Sequence, residues 1–178
     1  MRRRTLVGGL VGGLFAGATA ARCASPAAPL EPASEIPRRP FGKTGVELTI
    51  VGLAGGRFPL ITFDEAVALT RRAVALGINY FDNAHIYWDG RSEEVYGQVL
   101  PEVRQRVFMT TKSTERTRRG AERQLDLSLK RLKTDYVDLW QVHGIQDKDD
   151  VAKVFAPGGA IEAFEAAKKA GKCRFIGF

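Results

Sequence analysis

The sequence predicts an α/β fold of the (β/α)8 TIM-barrel type that is incomplete, with about five of the eight strands of such a barrel present. Short apolar runs alternate with helical stretches from residue 41 onward, which is typical of βα units in a parallel sheet. Strand starts recur at steps of roughly 30 residues, the size of one βα repeat. The turn after the first strand, GLAGGRFP, lacks the GxGxxG spacing of a doubly wound dinucleotide-binding sheet, so a barrel is favoured.

The first elements are a hairpin, a strand and a helix. GKTGVELTIVGL places a Thr-Gly turn at 44–45 between two short extended pieces, and it predicts a hairpin that runs into a first strand at about Ile50–Leu53. The stretch Thr62–Leu76 is predicted to be a helix because Thr62 and Glu65 have the spacing of a capping box.

Strands and helices then alternate as far as a fifth strand. The predicted strands are Ile78–Asp82, Val107–Thr111, Tyr136–Val142 and Cys173–Phe178. The predicted helices between them are Ser92–Leu100, Arg118–Lys133 and Ala160–Ala170. In Arg118–Lys133, leucines at 125, 129 and 132 recur at helical spacing, so we expect them to form the stripe that packs on the sheet.

Residues 1–21 are predicted to be a cleaved export signal. They combine a basic start, an apolar stretch weakened by glycine, and small residues at 18–20 that suit a signal peptidase. The string RRTLV resembles a twin-arginine signal, a route that carries folded proteins, so we expect export to the periplasm. An uncleaved membrane anchor is disfavoured because residues 6–21 are fewer than the roughly 20 apolar residues that span a bilayer. A lipid anchor at Cys23 is a further alternative, although Arg22 is a poor fit to the small residue that lipidation normally wants.

Residues 22–39 are rich in proline and alanine and are predicted to be an extended linker to the barrel domain, residues 40–178. Cys23 and Cys173 are not spaced as metal ligands, so the sequence predicts neither a zinc site nor a disulfide framework. Cys173 is expected to be a small core residue.

The formal net charge of +7 is a weak indication of nucleic-acid binding. Three of these charges lie at Arg2–Arg4, so removal of the signal leaves 7 − 3 = +4. A further group of arginines at 116, 118, 119 and 123 is expected to form a solvated helix face rather than a polyanion site. No nucleic-acid-binding motif accompanies them, so we expect no nucleic-acid partner.

Four chemically active side chains are predicted to converge. Asp82, Lys112 and His143 stand at the ends of successive predicted strands, and Tyr87 follows Asp82 by five residues. Because the carboxyl ends of barrel strands share one rim, where barrel enzymes carry their chemistry, these residues are expected to lie together. A carboxylate, a phenol, an amine and an imidazole would then face the same mouth.

The segments that contain these residues resemble the aldo-keto reductase family. GINYFDNAHIYWDGRSEEVYG is similar to the family's signature around its catalytic Asp and Tyr, VFMTTK to its lysine strand, and DYVDLWQVH to its histidine strand. RPFGKTGVELTIVGL is similar to the family's hairpin and first strand, and GKCRFIGF to the start of its fifth strand. The resemblance runs in the family's order from about Arg39 to the last residue.

This resemblance implies NADPH-dependent reduction of an aldehyde or ketone to an alcohol. It implies that Tyr87 donates a proton to the carbonyl oxygen of a small-molecule substrate, and that Lys112 lowers the pKa of the Tyr87 phenol, ordinarily near ~10. It also implies that Asp82 holds Lys112 in place and that His143 orients the substrate carbonyl. Tyr87 and His143 are thus the expected substrate-binding residues.

The resemblance further implies that Gly55, Gly56 and Asp82 contact the cofactor. The GLAGGR turn differs from the Gly-Thr-Trp type common in the family, and Asn83 stands where many members have Thr. His85 is expected either to line the pocket or to lie in a surface loop.

The chain is also expected to be a fragment of a longer reductase, because the family's residues that grip the cofactor come mostly from later strands. In the form printed it is then expected to bind NADPH weakly and to turn over little. The alternative from another class is a catalytically silent half-barrel that acts as a binding or assembly module, which another chain would complete.

Overall fold

A computed structural model describes residues 35–178, so the predicted signal and most of the predicted linker lie outside the described residues. A hairpin comes first, and strands then alternate with helices. The strands are β1 (Arg38–Pro40), β2 (Glu47–Thr49), β3 (Leu53–Ala54), β4 (Tyr80–Asp82), β5 (Phe108–Ser113), β6 (Val137–Val142) and β7 (Cys173–Gly177). The helices are α1 (Phe63–Ala75), α2 (Arg91–Gly97), α3 (Leu100–Val103), α4 (Arg118–Leu132), α5 (Lys148–Phe155) and α6 (Ala160–Lys169).

The main sheet has five parallel strands in the order β3-β4-β5-β6-β7. Each strand therefore pairs with the next one along the chain, as in a barrel, whereas a doubly wound sheet reverses its order at a switch point. The prediction of a barrel-type fold with about five strands is confirmed. Because all five strands are parallel, their carboxyl ends lie at one edge of the sheet.

Two local predictions depend on short-range chemistry, and both are confirmed. Thr62 caps α1: its hydroxyl accepts a hydrogen bond from the backbone N–H of Glu65 at 3.3 Å. The Glu65 carboxylate in turn accepts one from the backbone N–H of Thr62 at 2.8 Å. In α4 the three leucines at 125, 129 and 132 are all buried.

The core has two parts. The larger part lies between the sheet and the helices, where the rings of Trp140 and Phe164 stack with centroids 3.6 Å apart. Cys173 belongs to this part, as expected, and burial raises the pKa of its thiol to about 11. The smaller part centres on Phe108, which meets Phe41 of the β1–β2 hairpin edge to face at 5.5 Å. The hairpin thus covers one end of the sheet and leaves the carboxyl ends of the strands open.

Several boundaries differ from the sequence predictions by one or more residues, and three of these differences have a clear cause. β1 begins at Arg38, inside the predicted linker, because residues 38–40 pair with β2. The first barrel strand is Leu53–Ala54 rather than Ile50–Leu53, since Ile50 is 54% exposed and precedes the parallel pairing. The predicted helix Ser92–Leu100 is two helices, and the second has a proline in its first turn.

Helix α5 was not predicted. It begins after Asp147, whose carboxylate accepts a hydrogen bond from the backbone N–H of Asp150 at 2.8 Å. Only Val154 of this helix is buried, so it lacks the repeating apolar face that identified the other helices. Within residues 35–178 no helix has the length and apolar content to cross a bilayer.

Candidate active site

The structure brings together the four residues that the sequence predicts to converge. Asp82 ends β4, Lys112 is the penultimate residue of β5, and His143 directly follows β6. Each of the three thus stands at the carboxyl end of its strand. Tyr87 returns to this rim from the loop after β4, where its ring meets that of His143 edge to face, with centroids 5.6 Å apart.

A tight ion pair holds the lysine. The Nζ of Lys112 donates to Oδ1 of Asp82 at 2.6 Å and to the backbone carbonyl of Asn83 at 2.7 Å. Both side chains of the ion pair are largely sheltered, with 14% of Lys112 and 27% of Asp82 exposed. Because charge-assisted hydrogen bonds strengthen away from water, the position of the ammonium group is well defined.

Tyr87 lies close to both this ion pair and His143. The Nζ of Lys112 is 5.3 Å from the centroid of the Tyr87 ring. Among residues 35–178 the Tyr87 hydroxyl makes no hydrogen bond, so it can interact with a bound molecule. The four side chains therefore form one group at the mouth of the sheet.

The electrostatics of Tyr87 differ from the sequence expectation. Burial raises the pKa of its phenol, and the negative charge of Asp82 raises it further, whereas Lys112 was expected to lower it. The physical reason is that the Lys112 ammonium is paired with Asp82 at 2.6 Å, so a carboxylate accompanies the cation near the ring. The phenol is consequently protonated at neutral pH.

His143 is held in a neutral state. Burial lowers the pKa of its imidazole, and the positive charge of Lys112 lowers it further. Its backbone N–H donates to the carbonyl of Ser113 at 2.8 Å, which ties it to the end of β5. Nδ1 of the ring is buried and has no hydrogen-bond partner in the part of the chain that the structure describes. A buried polar atom of this kind is an available contact for a ligand.

Arg116 supports His143, a function that the sequence did not predict. Its guanidinium binds Asp150 of α5 through two bonds of 2.6 and 2.7 Å and donates to the His143 carbonyl at 2.9 Å. The prediction of a solvated arginine is wrong for this residue, which is 19% exposed, but holds for Arg118, which is 51% exposed. The acidic first turn of α5, which contains Asp150, is the feature of the sequence that could have indicated the contact with Arg116.

The two glycines predicted to bind cofactor occupy different positions. A Cβ on Gly56 would meet the Tyr87 ring at 3.3 Å, so this residue lies beside the candidate site. Gly55 is buried behind it, where a Cβ would overlap the hydroxyl of Ser92. Direct contact of either residue with a cofactor remains a prediction.

The loop between Asp82 and Tyr87 turns inward. Asn83 is fully buried, its Oδ1 is 2.8 Å from the Ser92 hydroxyl, and its Nδ2 has no partner among the described residues. His85 neither lines the pocket nor lies in an open surface loop: its Nδ1 is 3.1 Å from the hydroxyl of Ser128 on α4. Burial lowers the pKa of the His85 imidazole.

No group of three or more His, Cys, Asp or Glu residues within 35–178 is arranged to hold a metal ion. The rim itself presents the phenol of Tyr87, the Lys112–Asp82 ion pair and the neutral imidazole of His143. These groups can donate a proton and orient a polar acceptor.

Comparison with known proteins gives a consistent result. Residues 51–178 match the sequence profile of the Aldo/keto reductase family. The uncharacterized oxidoreductase YqkF of Bacillus subtilis (strain 168) is 34% identical over 153 residues, which cover 79% of this chain and 47% of that protein.

Solved structures agree. An aldo-keto reductase of Bacillus halodurans in its holo form superposes with a TM-score of 0.70 at 28% identity, covering 80% of this chain and 49% of the other. An aldo/keto reductase from Klebsiella pneumoniae in complex with NADP and acetate gives a TM-score of 0.64 at 28% identity, covering 75% and 46%. The chain thus spans about half the length of the relatives that it matches.

Proposed function

Because the chain belongs to the aldo-keto reductase family, we propose that it takes part in the NADP(H)-dependent reduction of an aldehyde or ketone to an alcohol, with Tyr87 as proton donor. The observation that carries this proposal is the convergence of Tyr87, Lys112, Asp82 and His143 at one rim. A phenol hydroxyl without a partner among the described residues lies beside a cation and a neutral imidazole there, which is the chemistry that carbonyl reduction requires.

The residues at the rim fit a nicotinamide cofactor and its substrate. The Nδ1 of His143, unpartnered among the described residues, offers a polar contact there. Gly56 carries no side chain on the Tyr87 ring, where even a Cβ would lie at 3.3 Å. NADP is the proposed cofactor because the Klebsiella pneumoniae relative was solved in complex with it. We propose that Gly55, Gly56 and Asp82 contribute to its binding. When bound, NADPH supplies the hydride for the carbonyl carbon.

The proton comes from the chain. The Tyr87 hydroxyl donates it to the carbonyl oxygen, and the raised pKa ensures that the phenol carries this proton at neutral pH. The Lys112 ammonium, 5.3 Å from the ring centroid, offsets part of the unfavourable effect that burial and Asp82 have on the phenolate that remains. A neutral His143 orients the carbonyl through a ring N–H without adding a second proton donor of similar strength.

The test compares Tyr87→Phe with the unaltered chain. We expect the chain to oxidise NADPH slowly in the presence of a panel of aldehydes and ketones, and the variant to be slower still by about 10²- to 10⁴-fold, the usual contribution of general acid catalysis. NADPH absorbance measures the rate. Tyr136→Phe is the matched control, since Tyr136 precedes β6 at the opposite end of the sheet and its ring packs on Arg104. A fully active Tyr87→Phe variant contradicts the proposed proton donor.

A second candidate function is a catalytically silent half-barrel that binds or assembles with another chain. Among the described strands, β3 and β7 each pair with one neighbour only, and an unpaired strand edge can bind another chain. Fluorescence titration with NADPH and sedimentation of the chain separate the two candidates. Micromolar saturation with carbonyl-dependent oxidation supports the reductase, whereas no turnover together with a dimer or larger assembly supports the silent module.

We further propose export through a twin-arginine signal in residues 1–21, with the barrel domain acting in the periplasm. The sequence RRTLV and the basic, weakly apolar start support this. Replacing Arg3 and Arg4 by Lys is expected to retain the protein in the cytoplasm, which cell fractionation and immunoblotting measure. Unchanged export of that variant contradicts the twin-arginine route.

A further inference from the structure

The backbone directly after Tyr87 has an uncommon conformation. Trp88 has φ 51° and ψ 41°, Asp89 has φ 53° and ψ 33°, and Gly90 has φ 90° and ψ −11°. Glycine adopts left-handed values freely, but a bulky residue such as tryptophan rarely does. Consecutive left-handed residues persist only where the surrounding contacts hold them, so something must fix this turn.

Arg131 of α4 makes those contacts. Its guanidinium lies so close to Gly90 that a Cβ at that position would overlap it. Its Nη1 also approaches the backbone carbonyl of His85 at 3.4 Å. One arginine therefore touches the backbone on both sides of Tyr87, two residues before it and three residues after it.

Glu93 of α2 connects this arginine to the strand that carries the lysine. The Glu93 side chain is fully buried, and its Oε2 lies 3.3 Å from Nη1 of Arg131. Its Oε1 accepts a hydrogen bond of 2.7 Å from the hydroxyl of Thr111, the residue before Lys112. The backbone N–H of His85 donates to the Lys112 carbonyl at 3.0 Å, which closes the connection.

We propose that Glu93 and Arg131 form a positioning pair that sets the Tyr87 ring relative to Lys112 and His143. The inference rests on the proposed role of Tyr87 in carbonyl reduction. Neither residue touches the reacting atoms: Arg131 acts by holding the turn 88–90, and Glu93 acts by fixing Arg131 against β5. A buried ion pair is weak evidence for stability in itself, so its geometric effect on the turn is the more direct account.

The experiment reads the position of the Tyr87 ring directly. In the full chain, the edge-to-face contact between the Tyr87 and His143 rings predicts nuclear Overhauser cross-peaks between their ring protons. Arg131→Met, which removes the charge but keeps an extended side chain, is expected to lose them. Glu93→Gln, which preserves shape, is expected to weaken them. Arg123→Met is the matched control, because Arg123 is an exposed arginine of the same helix.

Turnover gives a second measurement. If Tyr87 is the proton donor, Arg131→Met is expected to lower kcat by up to about 10²-fold, the cost of a misplacement near 1 Å, with little change in KM. Loss of the cross-peaks in a chain that shows no turnover supports the positioning pair and contradicts the reductase proposal, so the two proposals fail separately.

Three results overturn the inference. Cross-peaks of unchanged intensity in an Arg131→Met chain whose circular dichroism matches the unaltered protein would show that the pair does not place Tyr87. Failure of both Arg131→Met and Glu93→Gln to fold would assign the pair to global stability instead of local positioning. Loss of the cross-peaks in Arg123→Met as well would show that any charge lost from α4 has this effect.

Discussion

At the scale of single residues, the protonation states of the His143 and Tyr87 rings depend on the charged groups next to each ring. His143 is surrounded by Lys112 and Arg116, whose positive charges oppose protonation, while Asp82 favours it. Burial disfavours the charged imidazole as well, so the neutral form predominates. The pKa of Tyr87 is shifted in the opposite direction. It is raised, because Asp82 and burial both disfavour the phenolate. Both rings are therefore uncharged at neutral pH.

This arrangement predicts a measurable titration. The imidazole of His143 should titrate below the ordinary pKa of about 6.5, and Lys112→Met should raise that pKa because it removes the cation that lowers it most. NMR chemical shifts of the ring protons measure both values. The chain has two histidines, so the signal of His85 serves as the internal control and should move little in the variant. A His143 pKa at or above the ordinary value in the unaltered chain would contradict the electrostatics described.

At the scale of elements, the loop that carries Tyr87 depends on how α2 packs on α4. Gly97 ends α2 against the backbone of α4, where a Cβ would overlap the carbonyl oxygen of Arg131. The two helices can approach closely because this position lacks a side chain. Their proximity in turn brings Glu93 to Arg131.

Gly97→Ala is therefore expected to lower the free energy of unfolding by about 1–3 kcal/mol, the usual cost of overpacking a close contact. The obstructing atom belongs to the backbone and cannot rotate away. Urea unfolding followed by circular dichroism measures the change. Glu94→Ala, at an exposed position on the same helix, should change stability by less than about 0.5 kcal/mol. Equal stability of the Gly97→Ala variant would mean that α2 and α4 can separate at no cost.

At the scale of the whole molecule, five parallel strands in chain order place every candidate residue at one edge of the sheet. The hairpin occupies the other end, where Phe41 packs on Phe108. Fold and site are consequently linked through topology: residues about 30 positions apart in sequence become neighbours because each βα repeat returns the chain to the same edge.

The stability of the described domain should fall as pH decreases below about 6.5. The pKa values of His85 and His143 are both lowered in the folded chain, so the unfolded chain binds more protons in this range. The free energy of unfolding then decreases with falling pH and levels off below the folded-state pKa values. Urea unfolding on either side of that pH measures the effect. The double variant His85→Gln with His143→Gln should lose most of this pH dependence. A free energy of unfolding that rises on acidification would contradict the prediction.

Local patterns were sufficient for much of the fold. The Thr62–Glu65 capping box, the leucine stripe of α4 and the alternation of strands and helices were all predicted, because each depends on residues close together in sequence. Helix α5 was not predicted: it buries Val154 alone, so no periodic apolar face marks it. The first barrel strand was misplaced because exposed Ile50 and Val51 have the composition of a strand but not its pairing.

The amino-acid sequence alone was sufficient to predict the family, the fold class and the convergence of Asp82, Tyr87, Lys112 and His143, since motif residues and their spacing are visible without coordinates. Only the tertiary structure decided the raised pKa of Tyr87, the burial of Arg116 and the Glu93–Arg131 contact around the left-handed turn. The reason is physical: pKa values, burial and backbone strain depend on atoms that distant segments bring within a few ångströms, and one-dimensional spacing does not record those distances.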